Sequence, residues 1–134
     1  MAIELFLARR SFVSALTLAG AAEEIFGMEL KNQGITNTLT SRHMLHVTAY
    51  SRARLKAPSW KQFTVKQNYA RNAAKHLADK FSKTAEYDPF LRADLETAAI
   101  NMILRAIRNQ ELLCLPKSEN ATRFNGWYLS TIYV

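Results

Sequence analysis

Apolar positions recur at helical spacing along most of the chain. A short apolar stretch from Ile3 to Leu7 predicts an opening helix that stops near Arg10, and Ser11 is placed to cap a second helix that runs to about Met28. At about 100° per residue, one side of the second helix gathers seven residues within about 120°: Phe12, Ala15, Leu16, Ala19, Ala22, Glu23 and Phe26. The alanines on this side allow another helix to approach closely.

Four further helices follow from the same spacing and from capping residues. The predicted ranges are 38–56, 60–80 with Ser59 as its cap, 90–113 opened by Asp88 and Pro89, and 122–134. Residues 31–36 are predicted to form a loop, and residues 81–87 to be irregular. The pattern therefore predicts an all-α fold, a single-domain bundle of five or six helices over residues 1–134. Within it, segment 116–134 either docks on the bundle or serves as a partner-binding tail.

Composition agrees with this picture. A chain of 134 residues with 49% hydrophobic residues can bury one core, and four glycines with three prolines leave few helix breakers. The lone cysteine, Cys114, ends an apolar run, so we expect a buried thiol and no disulfide. These features favour a cytoplasmic protein.

The segment from Ala8 to Val13, with Arg9 and Arg10, resembles a twin-arginine export signal. The acidic Glu4 before it, a short apolar run and the pair Glu23-Glu24 directly after that run count against export. No run reaches the roughly 18 apolar residues of a membrane span, so we expect no membrane partner.

Positive charge is concentrated in the middle of the chain. Residues 41–85 hold ten basic residues and one acid, Asp79, whereas the rest of the chain holds eight basic residues and ten acids. The net charge of +7 therefore arises in one third of the sequence. Such a segment attracts RNA or another polyanion, although a merely solubilising surface has the same composition.

Glu23 lies in the middle of the apolar side of the second helix, unlike Glu24. A buried carboxylate must be paired or protonated, so we expect an Arg, Lys or His from another helix beside it. The interpretation is a buried ion pair that orients two helices, or a group that supports a nearby site.

The predicted fourth helix carries six polar residues within one arc: Asn68, Arg71, Asn72, Lys75, His76 and Asp79. A guanidinium can grip a phosphate with two hydrogen bonds, and an imidazole can exchange a proton near neutral pH. Asp79 is spaced to orient the His76 ring. The opposite side carries Tyr69 and alanines. The arc predicts a phosphate-ester site, or alternatively a solvated helix face.

Arg71-Asn72 followed by three residues and His76 resembles the Arg-X4-6-His motif of the HEPN superfamily, whose motif has a polar residue after the arginine. The alanine-rich segment 15–25, with Glu23, is similar to the first core helix of such domains. The resemblance covers roughly residues 2–113 and extends to a group of uncharacterised bacterial HEPN-like proteins.

The resemblance implies an up-and-down helical bundle that often forms a homodimer with the motif at the interface. In catalytic members it implies a metal-independent ribonuclease that needs no cofactor. Arg71 would then stabilise the scissile phosphate, His76 would act as acid or base, and Asn72 would support both. Apart from the resemblance, the basic segment makes Lys66 and Lys75 candidate nucleic-acid contacts, and Glu23 and Asp79 are candidate supporting groups.

Three functional hypotheses follow. The first is a HEPN-type ribonuclease of toxin-antitoxin or phage-defence type, with a cognate antitoxin as its partner. The second is a non-catalytic module of the same fold that binds nucleic acid, nucleotide or a partner protein through the basic face, and the third is a structural protein. His43 and His46 are spaced for a metal, but no carboxylate or cysteine accompanies them, so no metal site is predicted.

Overall fold

A computed structural model describes the backbone of residues 1–81 and 89–133 and the side chains of residues 1–72 and 94–133. The described residues form six helices and no strand, which confirms the predicted all-α fold. They are α1 (Ala2–Leu7), α2 (Phe12–Asn32), α3 (Thr38–Arg52), α4 (Trp60–Phe81), α5 (Pro89–Leu112) and α6 (Glu119–Ile132). None of them has the length and apolar character that crossing a membrane requires.

Side-chain caps set where several helices begin. The Ser11 hydroxyl accepts a hydrogen bond from the Ser14 backbone N–H, as the sequence predicts, and Asn37 caps α3 in the same way. At the start of α4, Ser59 and Gln62 exchange side-chain and backbone hydrogen bonds at 2.9 and 3.2 Å. The side chain of Ser118 caps α6, which therefore begins three residues before the predicted start.

Helix ends are less well predicted, because the chain reverses at residues with left-handed backbone conformation. These are Arg9, Arg54 and Cys114, with φ of 51°, 55° and 56°, and Gly34, with φ of 70°. After each helix, two backbone hydrogen bonds close the reversal; Cys114 donates to Glu111 and Leu115 to Gln110. Helix α3 consequently ends at Arg52, before the predicted residue 56, and α2 continues beyond Met28 to Asn32.

Cys114 is exposed, so the expectation of a buried thiol is wrong. The apolar run before it belongs to α5, and the helix ends at Leu112. Cys114 then occupies the reversal itself, which carries its side chain away from the core.

The apolar core lies between α1, α2, α5 and α6. Its buried members include Phe6, Leu16, Ile103 and Phe124, each at most 2% exposed. Phe124 and the partly buried Trp127 contact Phe6 at ring-centroid distances of 5.5 and 5.0 Å. Helix α6 is therefore docked on the bundle by its aromatic residues.

Helix α3 is held differently, because it has no buried residue. Its first N–H, from Thr38, donates to the side chain of the fully buried Asn109 on α5 at 2.9 Å. The rings of His43 and His46 each lie 5.1 Å from the ring of Phe63, the one buried residue among the described side chains of α4. The aromatic contacts thus join α3 to α4 as a hairpin, while the Thr38–Asn109 hydrogen bond links α3 to α5 and Ala70 of α4 packs against the core.

A candidate phosphate-binding cleft

A cleft of about 380 Å³ opens between α2, α3, α4 and α5. We call it the basic cleft, because four of the described residues that line it are cations and one is an acid. Its described lining consists of Leu16, Arg42, Lys66, Gln67, Ala70, Arg71, Asp94, Thr97, Ala98, Asn101, Met102 and Arg105. Residues 42, 66 and 71 come from the basic middle of the sequence, whereas Arg105 comes from α5.

Arg105 is the most deeply buried of the described cations that line the basic cleft. Its side chain is 2% exposed, and its Nη2 donates to Glu23 Oε1 at 2.9 Å. Its Nη1 lies 3.4 Å from Asn68 Oδ1, on the helix that carries the polar arc. Arg105 is therefore the cation from another helix that the burial of Glu23 requires, and sequence reasoning did not identify it.

Asn109, one turn after Arg105, extends the polar contact between α5 and α2. Its side-chain N–H donates to the backbone carbonyl oxygen of Glu23 at 3.3 Å, while its carbonyl oxygen accepts from Thr38. Asn109 is fully buried, so its hydrogen bond to Glu23 is shielded from water, while the bond from Thr38 is partly buried. The residue fixes the start of α3 relative to Glu23 and hence to the cleft.

Arg71 points toward α2. Its Nη2 donates to Glu24 Oε2 at 2.8 Å, and its side chain is only 12% exposed. Gly20 makes this position available, because a Cβ built there would lie 2.6 Å from Arg71 Nε and 2.7 Å from Cδ. Within the polar arc, Arg71 is thus not solvated, since it packs against the bundle, while Tyr69 on the opposite side is 71% exposed.

Arg42, on α3, is the half-buried cation of the cleft without a carboxylate partner. Its side chain forms no hydrogen bond or ion pair with the residues that the structure describes. Burial lowers the pKa of its guanidinium, the neighbouring Arg105 lowers it further, and Glu23 acts in the opposite direction. An arginine stays protonated in proteins, so the cleft holds a charge that the described part of the fold stabilises incompletely.

The other predicted site residues fall into two groups. Lys66 is exposed and lines the cleft, and Asn72 is exposed but is not among the described lining residues. Lys75, His76 and Asp79 belong to helix α4, but their side chains lie outside the described residues. The structure therefore brings Arg71 and Lys66 to one cleft and describes no contact of His76.

Arg42 and Arg105 are the cleft residues that sequence reasoning missed. Arg42 was one of ten cations in the basic segment, and no local pattern distinguishes it from the others. A weak signal existed for Arg105, because it lies among apolar residues at 102–107 on α5, where an unpaired charge is costly.

The described side chains include no group of three or more His, Cys, Asp or Glu residues that could hold a metal ion. The rings of His43 and His46 instead contact Phe63, and His43 Nε2 donates to the carbonyl oxygen of Pro58 at 3.2 Å.

Comparison with known proteins adds no assignment. No protein-family model matches the chain, and no curated protein or solved structure matches it.

Proposed function

We propose that this chain is a HEPN-like helical protein that binds RNA and holds one phosphate group of the RNA in the basic cleft. The supporting observation is Arg42, a half-buried guanidinium beside Arg105 without a carboxylate partner among the described residues. A phosphate accepts two hydrogen bonds from a guanidinium and supplies the negative charge that is missing there. Lys66, at the rim, adds a second cation for the same backbone.

The surrounding charge supports a polyanion over a small anion. No Asp or Glu occurs between Glu29 and Asp79, a stretch that contains all of α3 and most of α4. Cations spread over such a hairpin attract successive phosphates and release counterions from them. Binding should therefore weaken steeply as salt is raised.

The test compares Arg42→Met with Arg123→Met by fluorescence anisotropy of a labelled oligoribonucleotide over a series of salt concentrations. Both substitutions remove one positive charge and keep an unbranched apolar side chain, but Arg123 is exposed on α6. Arg42→Met should weaken binding about tenfold or more and reduce the salt slope by about one, whereas Arg123→Met should change little. Equal effects of the two substitutions on RNA affinity would reject the cleft as the phosphate-binding site. An RNA affinity of the unsubstituted protein that does not change with salt concentration would reject binding of a polyanion.

Cleavage of the bound RNA is a second proposal, and the position of Arg71 favours it. Arg71 lines the same cleft as Arg42 and precedes His76 by five residues on one helix, α4. Glu24 already holds Nη2 of Arg71, so phosphate binding there has to share or replace that contact. In this proposal Arg71 stabilises the phosphate, Asn72 supports it and His76 transfers the proton, with a homodimer completing the site.

Arg71→Ala and His76→Ala should each abolish RNA cleavage and any growth toxicity, while Arg123→Ala should retain both. Cleavage that survives both of the first substitutions would exclude the ribonuclease. RNA binding that persists without cleavage in the unsubstituted protein would instead identify a non-catalytic module.

A further inference from the structure

The turn between α3 and α4 presents an exposed indole among cations. Trp60, the first residue of α4, is 45% exposed although it is a large apolar side chain. Four exposed basic residues lie close to it along the chain: Arg52, Arg54, Lys56 and Lys61. We call Trp60 and these four cations the aromatic-basic turn. No acid lies within this stretch of sequence, so its electrostatic potential is uniformly positive.

The indole of Trp60 is held in place by contacts with two neighbouring rings. Its ring lies 6.4 Å from that of Phe63, with the planes inclined by 29°, and Phe63 is 3% exposed. The ring of His43 meets it edge-on at 5.4 Å, and His43 is itself fixed by its hydrogen bond to Pro58. Trp60 therefore presents its exposed portion to a ligand with little conformational freedom left to lose.

An open hollow of about 580 Å³ lies in the same turn, on the N-terminal side of α4. Its described lining consists of Tyr50, Lys56, Ala57, Pro58, Ser59 and Gln62. It combines an aromatic ring, a cation and the hydrogen-bonding groups of Ser59 and Gln62, and its size falls within the range of small-ligand sites. Trp60 is not among these lining residues, so the hollow follows the same turn as the indole but does not include it.

We propose that the aromatic-basic turn binds an unpaired base of single-stranded RNA, which stacks on Trp60 while the neighbouring cations contact the flanking phosphates. This inference rests on the proposed RNA binding and names the form of RNA that is bound. Single-stranded sites combine positive charge with exposed aromatic rings, since every base has a face that can stack. In a duplex those faces are covered by neighbouring base pairs, so an indole on a helix end gains nothing from them.

The experiment measures binding of a single-stranded oligoribonucleotide and of a duplex of the same length to the full chain. Trp60→Ala should weaken single-strand binding about tenfold, because stacking on one aromatic ring supplies free energy of that order. Trp60→Tyr should restore most of the affinity, and duplex binding should be weaker and insensitive to both changes. Trp127→Phe is the matched control, because Trp127 packs against Phe6 and Phe124 in the core.

A spectroscopic measurement keeps the test decisive if Trp60→Ala disturbs the start of α4. The chain has two tryptophans, so Trp127→Phe leaves Trp60 as the only fluorophore of its kind. Its emission should be quenched when the single strand binds and should stay unchanged with the duplex.

The possible outcomes distinguish failure of base stacking on Trp60 from failure of RNA binding as a whole. Unchanged Trp60 emission with bound single strand, or equal single-strand affinity in Trp60→Ala and unsubstituted protein, overturns stacking and leaves the basic cleft standing. Equal affinity for single strand and duplex overturns the preference for unpaired bases. Absence of binding to either form overturns the proposed function together with this inference.

Discussion

The two halves of α2 are joined to the rest of the protein by different kinds of contact. The first half contributes Leu16 and neighbouring apolar residues to a core completed by α1, α5 and α6. The contacts of the second half with α4 and α5 include the ion pairs Glu23–Arg105 and Glu24–Arg71. Apolar packing tolerates many arrangements, whereas buried charges require specific partners. The second half of α2 therefore fixes the positions of cleft residues at the cost of desolvating Glu23, Arg105 and much of Arg71, whereas the Glu24 side chain stays 60% exposed.

The largest expected effect comes from the buried ion pair. Arg105→Ala should lower the free energy of unfolding by about 3–5 kcal/mol, because it leaves Glu23 buried without its cation. The double substitution Glu23→Leu with Arg105→Met should recover most of that loss. Urea denaturation measures both.

Arg108→Ala is the control on the same helix. Its guanidinium is 60% exposed and pairs with Glu111 three residues later, so the change should cost at most about 0.5 kcal/mol. Similar losses of stability at positions 105 and 108 would show that the buried Glu23–Arg105 pair is no more important for stability than a surface pair.

Helix α3 should open more easily than α5. Because α3 has no buried residue, we expect its amide protons to exchange through local opening that costs at least about 2 kcal/mol less than global unfolding. The amide of Ile103, in the core of α5, should exchange only through global unfolding. Native-state hydrogen exchange measures the difference, and equal protection of the two helices would mean that the hairpin is an integral part of the core.

Gly20→Ala should destabilise the protein by about 1–2 kcal/mol, because the new Cβ displaces the Arg71 side chain from its contact with Glu24. Gly126→Ala should have the opposite sign, raising stability by about 0.5–1 kcal/mol, since nothing lies within 4 Å of its Cβ position and alanine favours the helix. Thermal denaturation compares the two. A gain at both positions would show that Arg71 moves aside without loss.

Effects as small as that of Gly126→Ala are expected at the helix ends. Cys114→Gly and Arg54→Gly should each raise the free energy of unfolding by about 0.5–1 kcal/mol, because glycine adopts a left-handed conformation without steric cost. If α3 opens before the core does, Arg54→Gly should act mainly on exchange in α3 and Cys114→Gly on global unfolding. Hydrogen exchange combined with denaturation distinguishes these outcomes.

The fold was predictable where local chemistry decides it. Ser11 and Ser59 lie where their side chains cap helices, and apolar spacing identifies the core residues of α2. The helix ends were less predictable, because Arg54 and Cys114 occupy reversals that are usually marked by glycine. The site was predictable only in part. Burial of Glu23 demanded a partner, but the choice of Arg105, 82 residues away in the sequence, depends on how α2 and α5 pack.

The close approach of the Arg71 side chain to Gly20 has an evolutionary consequence. Because the Arg71 side chain occupies the volume that any larger residue at position 20 would need, a larger residue there has to displace it, and we expect the two positions to vary together. A relative that carries alanine or serine at position 20 should also have lost the long side chain at position 71, together with the contact to position 24. Covariation between positions 20 and 71 would thus trace, across related sequences, which of them keep an arginine in the cleft.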